Sequence, residues 1–429
     1  MTQISRNSLH ATPARRLPVL RPEDAYSDPV TSRRRPSHAS GEERTASTRG
    51  RAAHLTVALA LCLAPVLAGC GSPLAFPPAP APAATLETAP KGGDPTSKAA
   101  TPTRTPTPTP PPAPTPSPVR VSPLTGLPEP SPQQVLVVKL DNTRNAQPHA
   151  GLDRADVVYL EEVEYGITRI AAVFSGTIPD RIGPVRSARI TDLDLLAQYG
   201  APAFAFSGAQ HKLWPAIAKA PVIDISPNKG AKGYARDHDR RAPYNYFLDG
   251  RVGINRAKDA ALSRDIGFTF ADTPPAGGTE VHRATMSWGA ASAKFTYDPV
   301  DGTYKVNLNG ERAQAENSDR GQRASTVVIQ LVKQEPSIYF DKGGGNTPHA
   351  VTIDTGDAVV LRDGLAYRVR WSRPSAESGT TFTLPDGSVM PFKPGQTWVV
   401  LLNRKTPATL IEPTANPSGT GSATPSPSR

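Results

Sequence analysis

The chain has 429 residues, 48 of them proline, and a formal charge of +10 from 48 Lys and Arg against 38 Asp and Glu. Ten Arg, no Lys and five acidic residues fall in the first 69, so half of that excess sits in one N-terminal stretch, and the remainder is too dilute to mark a nucleic-acid binder. The two cysteines are Cys62 and Cys70, which leaves everything downstream without a disulfide, a thiol nucleophile or a Cys-based metal site.

In chain order, residues 1–69 read as a signal region that is removed on export. Arg49 and Arg51 precede an apolar run from Leu55 to Leu67 that is too short to span a bilayer. The run closes on Leu67-Ala68-Gly69-Cys70, where small residues admit a peptidase and Cys70 supplies the sulfur for a thioether to diacylglycerol. Cys70 is therefore the expected lipidation site and membrane lipid its partner, since two acyl chains anchor durably where one does not. The expected location is extracytoplasmic, lipid-anchored to a bacterial membrane. Arg33-Arg34-Arg35 lies about twenty residues before the apolar run rather than against it, which favours the general secretory route.

Residues 70–122 are dominated by Pro, Thr and Ala, with Thr105-Pro106-Thr107-Pro108 at the centre, and they lack any apolar periodicity. Such a tract cannot bury a core. At about 3.1 Å per residue in polyproline II, some fifty residues reach on the order of 150 Å, enough for a tether across a thick wall. The stretch 406–429 has a similar composition and reads as a disordered tail.

Between these ends the texture changes twice. In residues 123–278, Gln134–Leu140, Asp156–Leu160, Ile167–Phe174, Ala203–Phe206 and Val222–Ile225 read as buried strands. Ile190–Tyr199, His211–Ala220 and Arg251–Leu262 carry helical patterns. The expectation is a mixed α/β domain. In residues 279–405, Lys294–Tyr297, Tyr304–Leu308, Thr326–Val332, Val359–Arg362, Ala366–Trp371 and Thr397–Leu402 read as strands. Asp301-Gly302, Asn309-Gly310, Asp363-Gly364 and Asp386-Gly387 accept the positive φ of tight hairpins. This part reads as a smaller, antiparallel β-rich domain.

Three segments, Gly151-Leu152-Asp153-Arg154-Ala155-Asp156-Val157-Val158-Tyr159, Gly166-Ile167-Thr168-Arg169 and Ile182-Gly183-Pro184-Val185-Arg186-Ser187-Ala188-Arg189, resemble the N-terminal domain of the YerB-like lipoproteins. The Thr326–Val332 strand and Pro394-Gly395-Gln396-Thr397-Trp398 resemble that family's C-terminal domain. The resemblance covers about 270 residues and implies a two-domain envelope lipoprotein, without implying a reaction. Where many relatives carry Gly-Gly before the Ile-Thr-Arg run, this chain has Tyr165-Gly166.

The densest chemistry lies in Arg181 to Arg189, which leads from a strand into a helix. The Arg181, Arg186 and Arg189 guanidinium forks suit planar oxyanions, and first-turn N–H groups beside Ser187 make an anion cradle. Asp192 and Asp194 lie close enough to pair with these Arg instead. A second basic run, Lys229 to Arg241, contains Arg236 and Arg241 in a glycine-bearing loop. Asp237-His238-Asp239 is a poor metal site because consecutive side chains diverge, so no metal and no cofactor is expected. Asp141 and Glu164 are the candidate carboxylates for acid-base or cation chemistry. The leading reading is a binding or scaffold lipoprotein that recognises an anionic wall polymer or headgroup through the Arg-rich loops. The alternatives are a metal-assisted hydrolase or phosphoryl transferase acting on envelope polymers, and an adaptor for a partner protein.

Overall fold

The computed structural model describes residues 120–413. The signal region with Cys70, the proline-rich tract up to residue 119 and the segment beyond Pro413 lie outside the described residues.

The N-terminal part forms β1 (Leu136–Asp141), β2 (Val157–Glu162), β3 (Thr168–Phe174), α1 (Ile190–Ala197), β4 (Ala203–Ala205), α2 (Trp214–Ile217), β5 (Ile223–Asp224), a hairpin of β6 (Tyr234–Arg236) and β7 (Tyr246–Leu248), and α3 (Gly250–Asn255). The C-terminal part adds β8 (Thr269–Phe270), β9 (Thr279–Glu280), β10 (Arg283–Ser287), β11 (Ser292–Asp298), β12 (Thr303–Leu308), β13 (Glu311–Arg312) and β14 (Arg323–Ala324). It continues with β15 (Thr326–Phe340), β16 (Asn346–Val351), β17 (Thr355–Arg362), β18 (Leu365–Ser372), β19 (Thr381–Thr383), β20 (Pro391–Phe392), β21 (Thr397–Asn403) and β22 (Ala408–Ile411). Strands fall where the apolar runs place them, and the four Asx-Gly pairs sit in turns, with Asn309 and Asp363 themselves at positive φ.

Helices are shorter than their patterns suggest. The expected helix Arg251–Leu262 stops at Asn255: Asp249 caps it through Val252 N at 2.9 Å, but Val252, Gly253 and Asn255 are weak helix formers and cannot carry it further. His211–Ala220 is a 3-10 turn followed by the single turn of α2, because Pro215 suits only a helix start. The fold is accordingly richer in strands than the α/β expectation for the N-terminal part.

The main sheet has twelve strands and is mixed. Its order is β19-β18-β17-β15-β21-β2-β3-β1-β4-β5, with β16 on β15 and β9 on β18. Strand β21 is its seam: it pairs in parallel with β15 on one side and with β2 on the other, Thr397 lying opposite both Thr326 and Val157. The sheet thus runs continuously from the N-terminal part into the C-terminal part. A second sheet, ordered β13-β12-β11-β10-β22 with β14 on β12, is antiparallel throughout. Its edge strand β22 falls inside the stretch 406–429 expected to be a tail. The correction has a simple cause, since Ala408 and Leu410 alternate inward and are buried on β10.

Side-chain alternation divides the core in two. Val138, Leu140, Leu160, Ile329 and Val400 face the second sheet through Met286, Phe295 and Val306. Val137, Tyr159, Val173, Val328 and Val399 face α1 and an aromatic layer that includes Phe204, Phe206, Phe268 and Phe392. The strands are apolar on both faces because both are covered.

Candidate functional site

Strand register on the α1 side of the sheet gathers charge. Residues two apart share a face, so Lys139 and Asp141 on β1, Arg169 on β3 and Glu161 on β2 all point toward α1. Asp141 lies opposite Arg169 and Arg169 opposite Glu161. Ala171, between Lys139 and Tyr159, is small enough for Lys139 to reach across β3 to the Glu161 carboxylate. Lys139 Nζ also lies 2.7 Å from Asp192 Oδ1 on α1, and Lys139, Glu161 and Asp192 are all closed to solvent.

The Arg-rich segment that enters α1 completes this network. Arg186 Nε donates to Asp141 Oδ2 at 2.6 Å. Arg189 Nη2 donates to Glu164 Oε2 at 2.8 Å, while Nε lies 2.6 Å from Oε1, and Thr347 Oγ1 donates to the same carboxylate. Arg169 Nη1 donates to the Ser187 carbonyl at 2.9 Å, so Ser187 contributes its backbone oxygen. The helix N-terminus is already occupied by an internal anion: Arg189 N donates to Asp192 Oδ2 at 2.7 Å. Burial raises both carboxyls, yet Asp141 is held below its ordinary pKa by Arg186 and Thr143, and Glu164 by Arg189 and Thr347. Burial, with Arg189 and Arg186 beside it, pushes Arg169 down to about 9. Burial raises Glu161 to about 7 against the pull of Lys139. Two candidate carboxylates and two candidate Arg therefore converge, but as ion pairs with each other.

The second basic run folds differently. Hairpin β6–β7 stacks Tyr234 on Tyr246, with ring centroids 5.2 Å apart, and lays the Arg236 guanidinium 5.0 Å from the Tyr246 centroid. Arg181 and Arg240 both lie over Phe247, at 3.7 and 5.3 Å. Arg181 is further held by Asp237, through Nη2 at 2.5 Å, and by Glu316, through Nε at 2.9 Å. The Arg181–Asp237 ion pair links the two Arg-rich segments, whereas no hydrogen bond or ion pair joins Arg186 or Arg189 to Arg236 or Arg241. Gly183 is required here, because a Cβ on it would fall 2.4 Å from Phe247 Cδ1.

Arg236 bonds to the Asn245 side-chain amide at 2.9 Å, and Arg236, Arg241, Lys229 and Lys232 are exposed and make no ion pair with any described residue. Among the described residues no three His, Cys, Asp or Glu side chains are placed to share a metal ion. The turn at Tyr165-Gly166 does form, with φ of 61° and 66°. Tyr165 adopts the left-handed conformation without being glycine because its hydroxyl donates to Asp341 Oδ1 and accepts from Gly345 N, both at 2.9 Å. Lys139, Arg169 and Asp192 carry the buried network; Asp192 was read from the sequence only as a partner for the Arg, and Lys139 was not singled out. The available signal was Lys139 itself, a cation inside a strand apolar on both faces, which demands a buried anion.

The sequence profile described as "Protein of unknown function (DUF3048) N-terminal domain" matches residues 124–263, and that of the corresponding C-terminal domain matches residues 283–399. The chain belongs to this two-domain family. A Bacillus subtilis relative described as "Putative lipoprotein YerB" is 24% identical over 302 residues, covering 65% of this chain and 85% of the relative. The crystal structure of Bacillus subtilis YerB superposes with a TM-score of 0.57 at 19% identity, covering 66% of this chain and 96% of that one, which shows a shared fold. The family boundary between residues 263 and 283 is crossed by the main sheet, so the two matched segments are joined through β2 and β21.

Proposed function

We propose that the chain is a membrane-anchored extracytoplasmic binding protein whose second basic loop, residues 226–246, receives an anionic group of the envelope. The observation that carries this reading is a difference in how the cations are used. Arg181, Arg186 and Arg189 are committed to internal carboxylates, whereas Lys229, Lys232, Arg236 and Arg241 present their charge to solvent without an acidic partner among the described residues. Stacking of Arg236 on Tyr246 orients one guanidinium in advance, which lowers the ordering cost of binding. The lipobox at Cys70 and the description of the Bacillus subtilis relative as a lipoprotein support the anchor. A domain division near residue 279, with the second part extended through β22 to Ile411, behind a tether that follows Cys70, belongs to the same proposal.

Calorimetry of the full chain with poly(glycerol phosphate) tests the site. Saturable binding that weakens at least tenfold in the double variant Arg236→Ala/Arg241→Ala, and weakens with added salt, is the expected result. The melting temperature should stay unchanged, because neither side chain is buried. Equal affinity in wild type and variant overturns the assignment.

A further inference from the structure

The turn that leaves β1 and the tip of the β10–β11 hairpin enclose an open cavity of about 420 Å³, lined on one side by Asn142, Thr143 and Arg144 and on the other by Trp288, Ser292 and Asn309. Its walls are fixed by backbone. Gly166 approaches the hairpin tip so closely that a Cβ on it would lie 2.8 Å from Gly289 Cα, and Ala290 N donates to Gly166 O at 2.9 Å. Asn309 ties the two sides together: its Nδ2 donates to Asn142 O, and its Oδ1 accepts from Ser292 N at 3.2 Å. The cavity is therefore preformed, and its size falls in the range of small-molecule sites.

Its chemistry is selective. No carboxylate lines it, and its one charge, Arg144, is exposed and already spends Nε on Asn309 O at 3.0 Å. Two wall groups lack any hydrogen-bond partner: Asn142 Oδ1, in a side chain 2% exposed, and Trp288 Nε1. The Asn142 side chain makes a single hydrogen bond, Nδ2 to Thr168 Oγ1 at 2.8 Å. Unpaired buried polar groups are rare in folded proteins and call for a partner that the chain does not supply. An indole beside uncharged amides and hydroxyls complements a ring with apolar C–H faces and a polar rim. Phosphate would call for more than one free cation, and an acyl chain for an apolar lining.

We infer that this cavity binds a sugar ring bearing uncharged hydroxyl or acetamido groups, presented by an envelope glycan. The site stands apart from the basic loop, none of whose residues lines the cavity. The full chain is titrated with chitotriose, with inorganic phosphate as comparison, by calorimetry and tryptophan emission. Saturable chitotriose binding is expected, weakened at least tenfold in Trp288→Ala. Ala290→Trp, at an exposed position on the cavity rim, should block binding without lowering the melting temperature. Arg236→Ala/Arg241→Ala should leave chitotriose affinity unchanged, which separates this site from the anion site. No saturable binding by the wild type, equal affinity in wild type and Ala290→Trp, or displacement of chitotriose by phosphate overturns the inference.

Discussion

Replacing Arg189 by Met separates a buried structural arginine from one held ready for a ligand. Arg189 is 8% exposed and Glu164 3%, and Nη2 donates to Oε2 with Nε close to Oε1, so removing the guanidinium strands a carboxylate that keeps only Thr347 as a hydrogen-bond donor. Breaking a buried pair from one side costs about 3–5 kcal/mol, a large share of the roughly 5–15 kcal/mol that holds a typical domain. The double variant Arg189→Met/Glu164→Gln leaves no orphaned charge and should be more stable than Arg189→Met alone. The pH dependence has a definite sign. Glu164 titrates below its ordinary range in the folded chain, so the pair stabilises above pH 4.5 and loses that contribution as pH falls through the lowered value. The gap between wild type and Arg189→Met should therefore narrow in acid. Urea unfolding read by tryptophan emission gives the midpoints, with an unchanged slope showing that the same surface is exposed. A loss below about 1 kcal/mol at pH 7, as for a solvated pair, would refute the reasoning and return Arg189 to the pool of free anion ligands.

Glu161→Gln tests the Lys139 network: the folded chain holds the Glu161 proton more tightly than the unfolded chain, so wild type should lose stability relative to the variant between pH 4.5 and about 7. A pH-independent difference in urea midpoint sinks that assignment. Gly183→Ala places a methyl against Phe247 and should destabilise by about 1–3 kcal/mol, checked by the same titration; a neutral result means the hairpin yields freely. Cys70→Ser should leave an unacylated, unprocessed precursor by mass spectrometry, and mature mass in a detergent-extractable fraction would remove the lipobox reading.

Much of the strand inventory was legible because it rests on local pattern. Val135 to Leu140 and Thr397 to Leu402 announce themselves as runs covered on both faces, and Asp363-Gly364 as a hairpin. What pattern cannot supply is the partner. Period-two alternation says which side of β21 is buried but not that β2 lies beside it, and nothing in Arg181 points to Glu316, 135 residues away. The polar half of β15 was invisible for a related reason: beyond Val332 it is held by pairing with β16 rather than by an apolar face. The Arg-rich segment was read as an anion cradle, and Asp141 and Glu164 separately as carboxylates for acid-base or cation chemistry; that they pair with Arg186 and Arg189 was not legible. Its outcome depended on geometry, since a short approach turned both carboxylates into partners for the same Arg that were expected to meet a ligand. The cavity at Trp288 rests on ordinary residues, Asn, Ser, Gly and Ala, whose meaning comes only from being folded against one another.

The place of β21 has a consequence for the order of events in the life of the molecule. The N-terminal strands Val157–Glu162 wait for Thr397–Asn403, about 240 residues further along, before the middle of the sheet can close. Pairings of such long separation form slowly, because a large loop must be restricted before any contact rewards it. A nascent chain is thus denied its central strand until nearly all of it has been made. For the exported lipoprotein proposed above, that order would leave the middle of the sheet unpaired while the earlier part of the chain crosses.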